Sequence, residues 1–173
     1  MVTRGGAERG VGSMTEAYRG WPDPAKAMAV HIDAAVSAAR SADSEAFSEA
    51  VDGLRSLDRE QLTILLGAVT RDLLERSHPD GLDSEDAEQV MQSCIRWAAA
   101  WYRELDSDCL IRSLTGALGV SEQEDLPIVD GMRVVTHGLL LITDQLATSG
   151  QQLPPLLVAA LSELRRAQTI ELP

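Results

Sequence analysis

Aromatic residues are scarce in this sequence and make up 3% of its 173 positions. With so few rings, the core has to be built from Leu, Val, Ile, Ala and Met. Such a core suits closely packed helices better than a β-sandwich, which usually draws on β-branched and aromatic side chains. Hydrophobic residues make up 45% and charged residues 24%, the ordinary balance of a globular protein. The length then predicts one compact domain.

Basic residues are also few, and the formal net charge is −12, with Lys26 as the single lysine. Nucleic-acid binding requires clustered Lys and Arg to neutralise phosphates, so this composition argues against it. An acidic surface also disfavours anionic membranes. We therefore expect neither nucleic acids nor a membrane among the partners.

Cysteine is limited to Cys94 and Cys109, too few for a disulfide-stabilised fold in a chain of this size. The N-terminal residues contain no apolar run of the kind found in a secretory signal. No stretch approaches the roughly 18 uncharged apolar residues that a membrane-spanning helix needs. These absences predict a cytoplasmic protein with both thiols reduced.

Residues 1–23 are rich in glycine, lack periodicity and end in the turn-forming sequence GWPDP. We expect this segment to be a flexible arm, followed by one helical domain over 24–173. From Pro24 onward the apolar residues recur at helical spacing, and no segment alternates as a strand does. The spacing predicts seven helices, at 24–40, 44–54, 57–76, 85–104, 107–119, 128–147 and 155–168. Because the connections are short, the predicted fold class is an all-α, single-domain bundle or irregular array of about seven helices.

The sixth predicted helix, 128–147, has the clearest pattern in the chain. Its expected inward residues are Ile128, Met132, Val135, Leu139, Ile142 and Leu146. Further apolar residues lie around its sides, and Val134, His137 and Leu141 fall on the half turned away from the stripe. One domain leaves such a face uncovered, so we expect it to be an interface with a partner protein or with a second copy in a homodimer.

Glycine is present in or near several helices, although each helical glycine costs about 1 kcal/mol relative to alanine. The positions are Gly53, Gly67, Gly116, Gly131 and Gly138. Close contact between helices is the expected reason for some of them.

The segment ERSHPDG contains a Glu-x-x-His spacing, which is able to put two metal ligands on one helix face. On a helical wheel Glu75 and His78 project away from the apolar stripe, and di-iron bundles need two such pairs facing inward. His78 also precedes Pro79, and Pro-Asp-Gly is a turn sequence. The segment is predicted to end a helix, and no metal ligand is assigned.

Three other groups of side chains are candidate sites with a structural alternative. Cys94, Trp97 and Trp101 lie on one apolar stripe, which favours core packing, while paired indoles also line small-molecule pockets. His137 lies near Asp144 on its own helix, which leaves a structural role, a partner contact and a general-base role open. Glu85 and Glu88 begin a helix, where the dipole accounts for them, and a magnesium site would need a second acidic helix.

The sequence contains no Walker A motif, dinucleotide-binding glycine pattern, nucleophile elbow or Cys-x-x-Cys pair. No catalytic residue, metal ligand or cofactor is therefore assigned. The leading hypothesis is a non-catalytic helical interaction or regulatory module that acts by self-association or by binding a partner protein. The alternatives are a small-ligand-binding domain with a pocket near Trp97 and Trp101, and a metal-dependent all-α hydrolase.

Overall fold

The computed structural model describes residues 16–120 and 128–170, which form seven α-helices and no β-strand. The helices are α1 (Asp23–Arg40), α2 (Ser44–Leu54), α3 (Arg59–Ser77), α4 (Ser84–Ala98), α5 (Ser107–Leu118), α6 (Gly131–Ser149) and α7 (Leu153–Ile170). The predicted all-α fold is confirmed. Among the described helices, none is long and apolar enough to cross a membrane.

Aspartate begins most of these helices. The carboxylates of Asp43, Asp58, Asp83, Asp106 and Asp130 each accept a hydrogen bond from a backbone N–H in the first turn of the helix that follows. Such caps satisfy N–H groups that have no partner within the helix. Part of the acidic composition therefore serves to set the helix boundaries.

The ends of the helices follow the glycine and proline signals. Gly119 and Gly150 adopt left-handed conformations, with φ of 71° and 68°, directly after α5 and α6. The segment ERSHPDG ends α3 at Ser77, and the N–H of Gly81 donates to the carbonyl of His78 over 3.0 Å. The prediction of a helix end followed by a turn is confirmed.

Helix α6 lies at the centre of the fold and contacts α1, α3, α4 and α5. Every residue from Val135 to Leu146 is buried, including the polar ones. The expectation that this helix has an outer face is therefore wrong. His137 is 1% exposed, Leu141 is fully buried and Val134 is partly buried, because neighbouring helices cover the surface that we had expected to be free.

Two other predictions about the helices are wrong in detail. Ile128 was expected to face inward at the start of the sixth helix, but α6 begins only at Gly131 and the side chain is 101% exposed. The fourth helix was expected to reach residue 104 but ends at Ala98. The N–H groups of Trp101 and Tyr102 then donate to the Ala98 carbonyl over 3.1 and 2.8 Å, which turns both rings back toward the core.

The expected N-terminal arm covers residues 1–23. Its first part, 1–15, lies outside the described residues. In its described part, Tyr18 is fully buried and Trp21 packs partly buried against the core. Burial raises the pKa of the Tyr18 hydroxyl to about 12, with a smaller effect of Asp33 in the same direction. Residues just before α1 therefore take part in the packed core.

Candidate functional site

The predicted ligand residues Cys94, Trp97 and Trp101 lie in a packed aromatic cluster. The ring centroids of Trp97 and Trp101 are 5.5 Å apart, and Phe47 meets Trp101 edge to face at the same separation. Such geometry is the preferred packing of aromatic rings. None of the three predicted residues lines either of the two cavities described below. Burial and, secondarily, Asp144 raise the pKa of the Cys94 thiol to about 12, so it is an unreactive thiol.

His137 has both ring nitrogens occupied by the backbone. Nδ1 donates to the carbonyl of Arg133 over 2.6 Å, and Nε2 accepts the N–H of Asp106 over 2.9 Å. These bonds require the neutral imidazole with its proton on Nδ1. Burial lowers the pKa of His137, which favours that same form. No ring nitrogen remains for proton transfer to a ligand.

A groove of about 440 Å³ opens between α3, α5, α6 and α7. Its walls are contributed by residues between 63 and 71, 112 and 117, 134 and 138, and 160 and 167. Apolar side chains and small residues form most of the lining, with Arg71, Arg112 and Glu163 as the charged members. The exposed side chain of Ile64 lies on the same wall as Arg71.

Three helical glycines line this groove without any steric need for glycine. A Cβ built on Gly116 would meet no heavy atom within 4 Å. One on Gly67 would lie 3.9 Å from the Cα of Ala117, and one on Gly138 would lie 3.8 Å from its nearest neighbours. These are ordinary van der Waals distances, so alanine fits at all three positions. The missing side chains leave the space open.

Glycine has the expected packing role elsewhere. A Cβ on Gly53 would overlap the ring of His31, and a Cβ on Gly131 would lie 2.9 Å from the side chain of Arg59. Close contact therefore accounts for Gly53 and Gly131 but does not account for the glycines of the groove.

The hydroxyl groups of the groove are already bonded to the protein. Thr70 Oγ1 donates to the Leu66 carbonyl over 2.8 Å. Ser113 Oγ lies 3.0 Å from the Cys109 carbonyl and 2.8 Å from that of Val134. Apart from Glu163, the lining contains no Asp, His, Cys or Tyr side chain.

A second cleft, of about 540 Å³, lies beside the C-terminal ends of α3 and α6 and is mostly polar. His78 Nδ1 lies 3.1 Å from the Leu74 carbonyl, and its Nε2 is 3.9 Å from Asp86 Oδ1. Asp86 in turn accepts the N–H of Asp83 over 3.2 Å, as part of the capping box of α4. These side chains hold helix ends in place, which accounts for their positions.

Asp144 is buried behind this cleft without a basic partner in ion-pair contact among the described residues. Ser93 Oγ donates to one carboxylate oxygen over 3.2 Å, and Gln145 Nε2 lies 3.4 Å from the other. Burial raises the pKa of Asp144 in spite of these two hydrogen bonds. Relative to the unfolded chain, the native state therefore shifts the equilibrium of Asp144 toward the protonated acid.

The acidic residues do not assemble into a metal centre in the part of the chain that the structure describes. No group of three or more His, Cys, Asp or Glu side chains there is arranged to hold an ion. Glu85 and Glu88 are exposed at the start of α4, and Glu88 accepts a hydrogen bond from Gln92 over 3.0 Å.

No protein-family model, curated protein or solved structure matches this chain. The groove, which sequence reasoning did not identify, is the candidate functional site. Its signal was present in Gly67, Gly116 and Gly138, three of the five helical glycines for some of which close helix contact was expected. Arg71 belongs to no motif, because the groove brings it to Ala117 from 46 positions away in the sequence.

Proposed function

We propose that this protein is a non-catalytic binding module that holds a small, mainly apolar ligand in the groove between α3, α5, α6 and α7. The observation that carries the proposal is the open volume beside Gly67, Gly116 and Gly138. Glycine in a helix costs about 1 kcal/mol relative to alanine, and here the cost has no compensation in packing. A space that a ligand fills supplies that compensation.

The size and chemistry of the groove agree with this role. Ligand sites usually enclose about 300–1,000 Å³ and combine an apolar lining with a few polar groups. The groove has about 440 Å³ and a mainly apolar lining with arginines at its walls. The small-ligand alternative drawn from the sequence is kept, with the site moved from the aromatic cluster to the groove.

A ligand in the groove touches four helices, so its binding stabilises the native fold in proportion to its concentration. Octanol is a suitable first probe because it carries an apolar chain of moderate size. In a thermal unfolding series, octanol is expected to raise the midpoint of the wild type progressively. Gly116→Leu is expected to abolish the rise, since its side chain extends into the open space.

Two control variants separate the filling of the groove from a general effect of the substitution on the response to octanol. Gly116→Ala places only a methyl group in open space and should keep most of the response. Ala34→Leu adds an exposed leucine on α1, outside the groove, and should respond as the wild type does. A wild type that shows no octanol-dependent rise, or a Gly116→Leu variant that keeps it, would contradict the proposal.

Self-association is the second candidate, and it is favoured by exposed isoleucines, of which three are the most exposed among the described residues. Ile128 is 101% exposed, Ile170 is 83% exposed and Ile64 is 49% exposed. Large apolar side chains in water favour association when they form a common patch. Sedimentation of the wild type should show a concentration-dependent dimer that Ile128→Ser weakens. A monomer at every concentration up to the millimolar range would exclude this candidate.

A further inference from the structure

We infer that the ligand of the groove is an amphipathic acid, with an apolar chain and one carboxylate, and that Arg71 binds the carboxylate. This inference rests on the proposed function, and it adds the charge and polarity of the ligand. It also separates the groove into an apolar floor and a cationic wall.

Arg71 is held at the groove by a hydrogen bond to the backbone of a neighbouring helix. Its Nε donates to the carbonyl of Ala117 on α5 over 2.8 Å, which fixes the guanidinium across the gap between α3 and α5. This is the one hydrogen bond that the side chain makes with described residues, and no described carboxylate forms an ion pair with it. The N–H groups of the two terminal nitrogens remain for a ligand, and their fork matches a carboxylate.

Three other arginines of the protein form ion pairs with carboxylates close to their own positions. Arg55 bonds Asp52 over 2.9 Å, Arg76 bonds Asp72 over 2.7 Å, and Arg133 lies 3.0 Å from Asp106. Arg71 is flanked in sequence by Asp72, yet that carboxylate pairs with Arg76. In a chain with a net charge of −12, Arg71 places a positive charge without an ion-pair partner among the described residues at the wall of an apolar groove. Charge complementarity therefore indicates an anionic head group.

The rest of the lining determines the other end of the ligand. Gly67, Gly116 and Gly138 leave an apolar volume among Leu66, Val135 and Ala160. The hydroxyls of Thr70 and Ser113 are bonded to backbone carbonyls, so they present little to a polar ligand body. Glu163 also lines the groove, and its charge disfavours a second anionic group on the ligand. One carboxylate on an apolar chain fits all of these conditions.

The test compares octanoate with octanol, which share a chain length and differ in the charged group. Dissociation constants are measured by calorimetry at neutral pH for the wild type, Arg71→Gln, Arg55→Gln and Gly116→Leu. The wild type is expected to bind octanoate about tenfold more tightly than octanol, the value of one charge-assisted hydrogen bond. Arg71→Gln should weaken octanoate binding about tenfold and leave octanol binding unchanged.

Arg55→Gln is the matched control, because it removes the same charge from an exposed arginine outside the groove. It should bind both probes as the wild type does. If octanol binds as tightly as octanoate, or if Arg71→Gln keeps the preference for octanoate, the acid inference is overturned while the proposed function stands. If neither probe binds the wild type, both are overturned. If both probes bind Gly116→Leu as tightly as the wild type, the binding site lies elsewhere and both are again overturned.

Discussion

His137 on α6 accepts a hydrogen bond through Nε2 from the backbone N–H of Asp106, over 2.9 Å. Asp106 is the N-cap of α5, and its carboxylate also lies 3.0 Å from the guanidinium of Arg133. Arg133 is also bonded to His137, because its carbonyl accepts the Nδ1–H of the imidazole. The start of α5 is thus fixed to the central helix by one neutral imidazole and one ion pair.

Acidification is expected to weaken this connection. Burial holds the pKa of His137 below its ordinary value of 6.5, so the native state favours the neutral ring. Its contribution to stability is present above pH 6.5 and is lost as the pH falls from there toward the native pKa. Urea denaturation between about pH 5 and 8 should show this loss. His137→Gln should lower the free energy of unfolding by about 1–2 kcal/mol at pH 8 and remove this part of the pH dependence. An unchanged profile would contradict the assignment.

Asp144 should change the free energy of unfolding with pH in the direction opposite to His137. Because burial raises its pKa, its contribution is present at acid pH and is lost as the pH rises from the unfolded value near 3.8 toward the native one. Asp144→Asn keeps the shape without the charge, and it should raise the free energy of unfolding at pH 7 by about 1 kcal/mol. At pH 4 the gain should be smaller. A variant that loses equal stability at both pH values would show that the carboxylate is not a buried charge in the native state.

The glycines provide a paired test of packing. Gly116→Ala should stabilise the protein by up to about 1 kcal/mol, because the helix gains an alanine and the Cβ enters open space. Gly53→Ala should destabilise it, because the Cβ overlaps the His31 ring, which then has to leave its packed position. Guanidinium denaturation of both variants gives the sign of each change in the free energy of unfolding. If Gly116→Ala destabilised the protein as Gly53→Ala does, the space beside Gly116 would be closed in solution.

The two thiols are expected to be unreactive in the native state. Cys94 and Cys109 are buried, and burial raises the pKa of both, to about 12 for Cys94. Only the thiolate attacks a disulfide reagent, so native protein should react negligibly with a thiol-specific dye. Both thiols should react promptly after denaturation. Rapid reaction of one thiol in the native protein would reveal local opening, and Cys94→Ala would identify which one.

Local signals predicted the helices well because the helix ends are determined locally. Asp58 caps α3 through the N–H of Gln61, and Gly119 ends α5 in the left-handed conformation. Such bonds connect residues a few positions apart, so their chemistry is visible in the sequence.

The surroundings of each helix were predicted less well. The apolar stripe of α6 indicates which side must be buried but does not reveal how many neighbours cover the other sides. His137 and Leu141 were therefore placed on a free surface, while the fold buries both. The contact of Arg71 with Ala117 joins positions that are distant in sequence, and no local sequence pattern predicts it. The groove is a property of four helices together.

The enclosure of α6 also bears on how the chain folds. Five helices precede it in the sequence, and α1, α3, α4 and α5 each pack against it. Until α6 has been synthesised, the apolar faces that these helices turn toward it have no cover, so a chain stopped before Gly131 should not reach a stable native state. The backbone amides of α6 should in turn exchange with solvent only on global unfolding, which makes this helix the slowest-exchanging segment of the protein.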